Sequence, residues 1–273
     1  MHKSQLAIGV FDSGMGGLTV LRALRKALPT ESFIYLGDTA RLPYGTKSPD
    51  TVQHYAMQMS RLLMQRHIKA LVVACNTATT AALPHLKREL PELLVLGVVE
   101  PGASAAITAT KNHQIAVLAT ETTIAANAYQ RIIARDLPGV AIHARACSLL
   151  VALAEEGMVD NDIAKATLLH YLSGVVDEDT ILLGCTHFPV FKPLLKTLLP
   201  RAVRIVDSAE ATALSLVSSL QQASLLNNQV LGQGHVQYLV TDAVRRFQTV
   251  GEIFLGESLQ SAAIELVDAG GAQ

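Results

Sequence analysis

Short apolar runs alternate with helical patterns along almost the whole chain, and this alternation limits the possible folds more than any other feature. Apolar residues recur at helical spacing after the first run, at Leu18, Leu21, Leu24 and Leu28. The strand-like runs cover residues 6–11, 32–36, 70–74, 93–97, 115–119, 140–144, 180–183, 203–206 and 236–240. Such alternation predicts an α/β protein whose mostly parallel sheets are covered by helices on both faces.

Some elements are predicted individually. Ser48, followed by Pro49 and Asp50, predicts the N-cap and the start of a helix. Short helical patterns follow Cys75 with a restart at Pro84, and another helical pattern covers residues 121–134. Residues 225–234 are predicted to form a polar loop.

Composition agrees with this fold class and excludes several functions. Hydrophobic residues make up 50% of the 273 residues and aromatic ones only 4%, so Leu, Val, Ile and Ala must build the core. The net charge is −1 and no long run of Lys or Arg occurs, so we expect no nucleic-acid partner. No apolar stretch approaches the ~20 residues of a membrane helix. The run at 6–11 is short and is followed by glycines, so it predicts a first strand rather than a signal peptide. We therefore expect a cytoplasmic protein.

The cysteines are few and odd in number: Cys75, Cys147 and Cys185. A disulfide framework is therefore not expected. No Cys-x-x-Cys or His-x3-His pair occurs, so we expect no metal site.

Two of these cysteines lie in segments that resemble each other. Leu-Val-Val-Ala-Cys-Asn-Thr at 71–77 matches Ile-Leu-Leu-Gly-Cys-Thr-His at 181–187 in pattern. Each is an apolar strand that ends at a cysteine and continues into hydrogen-bonding residues. The repeat indicates two related α/β halves, each with one cysteine at the carboxyl end of its sheet, where ligand sites of α/β proteins lie.

The sequence around each cysteine favours chemistry over a plain core position. Cys75 precedes Asn-Thr-Ala-Thr, which suits a helix start that would stabilise a thiolate or a carboxylate. Cys185 is followed two residues later by His187, a residue able to activate a thiol. A thiol with a pKa near ~8.5 can act as acid or base after modest tuning. Two thiols on opposite faces of one carbon would serve racemisation or epimerisation.

The glycine-rich segment 12–17, Asp-Ser-Gly-Met-Gly-Gly, has two functional interpretations. Together with Asp38 after the second strand it resembles a dinucleotide-binding loop. However, Thr19 replaces the third glycine of that fingerprint, and Asp12 would repel a pyrophosphate. Asp12 is better explained as the partner of a reactive group or of a substrate ammonium.

The motifs taken together resemble the glutamate racemase family, over roughly residues 6–256. They occur in the family's order: Asp12-Ser13-Gly14-x-Gly16-Gly17, Pro43-Tyr44-Gly45, Cys75-Asn76-Thr77-Ala78, Glu155-Glu156-Gly157, Gly184-Cys185-Thr186-His187-Phe188-Pro189 and Asp207-Ser208. The resemblance implies two similar α/β domains with the active site in the cleft between them. It implies a first domain of residues 1–97 completed by 208–273, and a second domain of residues 98–207.

The resemblance also implies a reaction and the residues for it. The family interconverts L- and D-glutamate without a cofactor and supplies D-glutamate for peptidoglycan. Cys75 and Cys185 would be the two acid/base residues, with Asp12 supporting the first, and Glu155 and His187 the second. The substrate-binding residues implied are Asp12, Ser13, Pro43, Tyr44, Gly45, Asn76, Thr77, Thr120, Thr123, Thr186 and His187.

Three positions depart from the family pattern, and several alternatives stay open. Ser148 and Ala152 replace prolines, and Ala119 replaces a glycine. Racemisation of another acidic amino acid, such as aspartate, would use the same two-thiol mechanism. A catalytically inactive module that binds an amino acid and a pyridoxal phosphate enzyme are the other two classes of function. The oligomeric state is left open, and a homodimer is one expectation. Because the first strand starts almost at once, we expect none of the activation by a cell-wall precursor that an N-terminal extension gives some relatives.

Overall fold

The computed structural model describes residues 2–227, 234–260 and 263–270. Its strands are β1 (Ile8–Asp12), β2 (Phe33–Gly37), β3 (Ala70–Val73), β4 (Leu94–Gly97), β5 (Gln114–Ala119), β6 (Ala141–Ala146), β7 (Thr180–Gly184), β8 (Arg204–Asp207), β9 (Val236–Val240) and β10 (Ile264–Leu266). Its helices are α1 (Leu18–Ala27), α2 (Pro49–Met64), α3 (Asn76–Glu89), α4 (Val99–Ala109), α5 (Glu121–Ala125), α6 (Ala128–Asp136), α7 (Leu149–Glu155), α8 (Asp162–Leu172), α9 (Lys192–Leu198), α10 (Ala209–Gln222) and α11 (Val244–Leu255).

The strands form two sheets within the described ranges. The six-stranded sheet has the order β10-β9-β2-β1-β3-β4, and the four-stranded sheet has the order β6-β5-β7-β8. All the pairs in both sheets are parallel. Strands β1, β2, β3 and β7 are buried at every position, as their unbroken apolar sequence requires when helices cover both faces. The predicted α/β class with mostly parallel sheets is confirmed.

Strands from both ends of the chain share the first sheet. It draws on residues 8–97 and on residues 236–266, whereas the second sheet draws on residues 114–207. Helix α10 packs against α1, and it also packs against α4, which connects β4 of the first sheet to β5 of the second. The domain limits of 1–97 with 208–273 and of 98–207 stay a prediction, because helices pack across the proposed boundaries.

Two helical segments differ from what the sequence predicts. A single helix over 121–134 is wrong: Asn127 adopts a left-handed conformation with φ of 52° and separates α5 from α6. A restart at Pro84 is also wrong, since α3 continues through this proline. One internal proline forfeits a single backbone hydrogen bond, and the packing of the buried face of α3 outweighs that loss. The cap predicted at Ser48 is confirmed, because its side chain accepts from the backbone N–H of Thr51.

One predicted loop is only partly described. Of the polar loop expected over 225–234, residues 228–233 lie outside the described residues. Across the ranges that are described, no helix combines the length and the apolar character needed to span a membrane.

Candidate active site

Both strand-end cysteines line one cavity, whose volume is about 60 Å³. Ser13, Cys75, Thr120 and Cys185 follow β1, β3, β5 and β7, so two sheets present their carboxyl ends to the same space. The cavity therefore lies between the two halves. The predicted site residues that line it are Ser13, Pro43, Tyr44, Gly45, Cys75, Asn76, Thr77, Thr120, Glu155, Cys185, Thr186 and His187.

Two predicted site residues, Asp12 and Thr123, are fully buried behind the lining. Asp12 accepts a hydrogen bond from the backbone N–H of Gly14 at 3.0 Å and one from the hydroxyl of Thr186 at 3.4 Å. The Thr123 hydroxyl lies 3.1 Å from that of Thr120. Each of the two can therefore act on the cavity through a lining residue.

Four lining residues are not in the predicted set: Leu42, Thr46, Ser148 and Val151. Leu42 and Thr46 flank the predicted segment 43–45. Ser148 and Val151 precede Glu155 by seven and four residues, so the start of α7 turns one face toward the cavity. Helical spacing back from Glu155 is the signal that would have found them.

Cys75 has a position fixed by the start of α3. It is the N-terminal cap of this helix, and its Sγ accepts from the backbone N–H of Ala78 at 3.4 Å. The same sulfur lies 3.6 Å from the hydroxyl oxygen of Ser13. Burial, with a further contribution from the negative charge of Asp12, raises the pKa of Cys75 to about 12. The raised pKa therefore favours the protonated form of this thiol at neutral pH.

Cys185 belongs to a chain of three side chains. Its Sγ lies 3.9 Å from Nδ1 of His187, and Nε2 of His187 lies 3.0 Å from Oε1 of Glu155. Burial lowers the pKa of His187, but hydrogen bonds to Cys185 and then to Glu155 outweigh it and raise this pKa to about 10. The ring of Phe254 packs edge-on against the imidazole at 5.1 Å. A protonated His187 therefore faces the Cys185 sulfur.

The glycine-rich segment 12–17 allows the side chains of Cys185, His187 and Glu155 to lie close to Asp12. A Cβ at Gly16 would lie 2.6 Å from the Thr186 hydroxyl, and a Cβ at Gly17 would lie 2.5 Å from Cβ of Asp12. Thr19, which replaces the third glycine of a dinucleotide fingerprint, donates a hydrogen bond to the Thr186 carbonyl at 3.1 Å. The glycines therefore give room for the segment that carries Cys185, Thr186 and His187.

Asp38 has partners of its own close to the cavity. It accepts a hydrogen bond from the hydroxyl of Tyr44, and Nε of Arg41 lies 2.8 Å from its carboxylate. Tyr44 begins a short 3₁₀ segment, Tyr44–Thr46, just after the cis Leu42–Pro43 peptide bond. Asp38 therefore holds the 43–45 segment against the cavity instead of facing an open ligand groove.

Hydroxyl groups join the two halves across the cavity wall. The side chains of Thr77 and Thr120 are hydrogen-bonded at 2.9 Å, and the Thr122 hydroxyl donates to the carbonyl of Gly45 at 2.9 Å. Gly45 also packs closely on the other half, since a Cβ there would lie 2.7 Å from Cβ of Thr120. The amide nitrogen of Asn76 is buried here and has no hydrogen-bond partner among the described residues. Among the described residues that line the wall, this amide nitrogen and the hydroxyl of Ser148 are the buried donors without a partner.

No group of three or more His, Cys, Asp and Glu side chains forms a metal-binding arrangement in the described part of the chain. No Lys or Arg of the described ranges lines the cavity. The polar groups that do line it are hydroxyls, an amide, thiols, His187 and Glu155. These groups can donate hydrogen bonds to an anion and can move protons.

Comparison with known proteins relates this site to one family. Residues 8–216 match the family Asp/Glu/Hydantoin racemase. The glutamate racemase of Geobacter metallireducens is 48% identical over 255 residues, which cover 93% of this chain and 94% of the relative. A glutamate racemase of Neisseria meningitidis serogroup C is 42% identical over 268 residues, or 97% of this chain and 98% of the relative.

Solved structures give the same relationship. Glutamate racemase from Francisella tularensis, in complex with D-glutamate, has a TM-score of 0.89 at 34% identity and covers 98% of this chain and 99% of its own. The aspartate racemase of Picrophilus torridus, at 20% identity and a TM-score of 0.53, shares the fold alone. The chain therefore belongs to the Asp/Glu/Hydantoin racemase family, among its glutamate racemases, and is an isomerase that racemises an amino acid.

Proposed function

We propose that the chain interconverts L- and D-glutamate without a cofactor, through Cys75 and Cys185. The observation that carries the proposal is that two strand-end thiols, one from each sheet, line the same cavity. Inversion of a carbon centre requires removal of a proton on one face and its return on the other. Two thiols from opposite halves supply a base and an acid for that purpose. The D-glutamate formed would serve peptidoglycan synthesis in the cytoplasm.

The proton steps balance between the two sulfurs. In one direction the Cys185 thiolate takes the α-proton, so the C–H bond breaks and an S–H bond forms. The Cys75 thiol then gives its proton to the opposite face of the carbanion, which forms the new C–H bond and leaves a thiolate. The reverse direction exchanges the roles. The protonated His187, 3.9 Å from the Cys185 sulfur, stabilises the thiolate on that side.

Substrate binding would rely on neutral donors. The unpaired amide nitrogen of Asn76 and the hydroxyl of Ser13 are available to carboxylate oxygens. The hydroxyls of Thr77 and Thr186 would reach a carboxylate by turning away from Thr120 and Asp12. Asn76 is also the first residue of α3, whose N-terminus favours a negative charge. Hydrogen bonds to a charged acceptor are stronger than those between neutral groups, so binding does not require a cluster of cations.

The experiment follows circular dichroism of L-glutamate, D-glutamate, L-aspartate and D-aspartate after exhaustive dialysis of the enzyme and with no added cofactor. We expect both glutamate enantiomers to approach a racemic mixture and to exchange the α-proton for deuterium in D₂O. Activity that is lost on dialysis and restored by pyridoxal phosphate would overturn the cofactor-independent mechanism. Faster turnover of aspartate than of glutamate would overturn the assignment of glutamate as the substrate. Light scattering of the same sample tests the homodimer that the sequence resemblance leaves open.

A further inference from the structure

Tyr129 lies between the two cysteine-bearing segments, although no sequence motif singles it out. It belongs to α6 of the second half and is fully buried. Its hydroxyl donates a hydrogen bond of 2.6 Å to Oδ1 of Asn76, the residue that follows Cys75 in the first half. One side chain of the second half thus reaches the residue beside the thiol of the first.

The ring of Tyr129 also packs against the segment that carries the other thiol. A Cβ at Gly184, the residue before Cys185, would lie 2.8 Å from Cε2 of Tyr129. A Cβ at Gly102 of α4 would lie 3.0 Å from the Tyr129 hydroxyl oxygen. Both positions are glycine, so the ring fits closely and its hydroxyl has little freedom to move away from Asn76.

The hydrogen bond decides which end of the Asn76 amide faces the cavity. A tyrosine hydroxyl that donates to Oδ1 occupies the amide oxygen. The other end, Nδ2, is buried with no hydrogen-bond partner in the described part of the chain, and Asn76 lines the cavity. A buried donor without a partner is unfavourable, and a carboxylate bound in the cavity would supply the missing acceptor. With the opposite orientation, the amide oxygen would face that carboxylate and repel it.

We propose that Tyr129 is a positioning residue: it orients the Asn76 amide so that Nδ2 donates to a substrate carboxylate. The proposal rests on the proposed function, because its readout is the turnover of glutamate. Tyr129 does not line the cavity, so its effect on the substrate passes through Asn76. Because Tyr129 contacts both cysteine-bearing segments, we expect it to affect the binding of L- and D-glutamate alike.

Tyr129→Phe removes only the hydroxyl, and the matched control is Tyr238→Phe in β9. Tyr238 is also a buried tyrosine, and it packs against Tyr35 and Phe247 in the core of the first half. We expect Tyr129→Phe to raise KM about 3- to 10-fold for both L- and D-glutamate, with kcat within about twofold of the unsubstituted enzyme. We expect Tyr238→Phe to leave both constants within about twofold.

A double-substitution cycle separates positioning from a general structural effect. In an Asn76→Ala background, Tyr129→Phe should cause no further rise in KM, because the amide through which it acts is gone. An unchanged KM in Tyr129→Phe alone, or losses that multiply in the double variant, overturns the proposal. If the unsubstituted enzyme does not racemise glutamate, the proposed function itself is wrong. That outcome is distinct from the outcomes that overturn the role of Tyr129.

Two tyrosine analogues keep the test decisive if Tyr129→Phe does not fold. 4-Aminophenylalanine at position 129 retains a donor at the tip of the ring, and 4-methylphenylalanine fills the same volume without a donor. The donor-bearing variant should keep a KM within about twofold of the unsubstituted enzyme, and the methyl variant should show the same 3- to 10-fold rise as expected for phenylalanine. Equal KM values for the two analogues overturn the proposal.

Discussion

The imidazole of His187 and the carboxylate of Glu155 form a buried pair, with Nε2 and Oε1 separated by 3.0 Å. The other ring nitrogen faces the Cys185 sulfur. Because the hydrogen bonds to Cys185 and Glu155 outweigh the effect of burial, the pKa of His187 is raised to about 10. The folded protein therefore binds a proton that the unfolded chain releases near its ordinary pKa of ~6.5.

Glu155→Gln is expected to shift the pH dependence of stability. The stability that protonated His187 contributes is complete below the unfolded pKa near 6.5 and is lost as pH rises through the folded pKa of about 10. Loss of the carboxylate lowers the folded pKa, so thermal unfolding scans from pH 6 to 10 should show a smaller decline that ends at a lower pH. The matched control is Glu156→Gln, an exposed residue paired with Arg246. Identical pH profiles for the two variants would contradict the His187 assignment.

Cys75→Ser and Cys185→Ser should be distinguishable by stereochemistry. Each should reduce racemisation by more than the ~10²–10⁴-fold of a single acid/base group, because water is poorly placed to replace a thiol. With a glutamate analogue that carries chlorine at the β-carbon, α-proton removal expels chloride and needs no returned proton. Each variant should then eliminate HCl from one enantiomer only, with Cys185 acting on the L-form and Cys75 on the D-form. Equal elimination from the same enantiomer would refute the two-base assignment.

Gly45→Ala should weaken catalysis by pushing two cavity walls apart. Its Cβ would lie 2.7 Å from Cβ and 2.8 Å from Cγ2 of Thr120, closer than such atoms can approach. We expect a loss of about 10- to 100-fold in kcat/KM, since small misplacements of binding groups cost factors of this size. The control is Gly139→Ala, where φ is 82° and no atom of the described ranges lies within 4 Å of an added Cβ. That substitution should lower the free energy of unfolding by about 1 kcal/mol and leave kcat/KM unchanged.

Asp12→Asn should lower the pKa of Cys75. Burial raises that pKa to about 12 together with the negative charge of Asp12, and the substitution removes the charge. The pH at which Cys75 becomes reactive toward iodoacetamide should therefore fall, as measured by mass spectrometry of the individual cysteine peptides. Cys147 is an internal control, because burial raises its pKa and Asp12 makes no contribution there. A parallel shift at both cysteines would indicate general loosening instead.

The parts of the fold that the sequence predicts are those set by local pattern. Apolar runs such as 70–74 and 180–183 become strands buried on both faces, and Ser48 followed by Pro49 begins a helix as expected. The carboxyl ends of parallel strands share one edge of a sheet, so the cysteines after β3 and β7 could be placed near a ligand site without coordinates. Family motifs then identified most of the residues that line the cavity.

The remainder depends on contacts that no local pattern encodes. Asn127 separates two helices because it adopts a left-handed conformation, and its neighbours give no glycine or proline signal. Tyr129 is one aromatic residue in a helical pattern, typical of a core position, and its hydrogen bond to Asn76 spans 53 residues of sequence. The burial of Asp12 behind the Thr186 hydroxyl likewise arises from a contact between the two halves.

The volume of the cavity has a kinetic consequence. A volume of about 60 Å³ holds about four to six water molecules, whereas glutamate has about ten non-hydrogen atoms. We therefore expect the Thr77–Thr120 and Thr122–Gly45 hydrogen bonds, which join the two halves at this wall, to give way when the substrate enters. Each turnover would then include a separation of the walls in addition to the two proton transfers. Added viscogen should therefore slow turnover before any change in proton chemistry becomes visible.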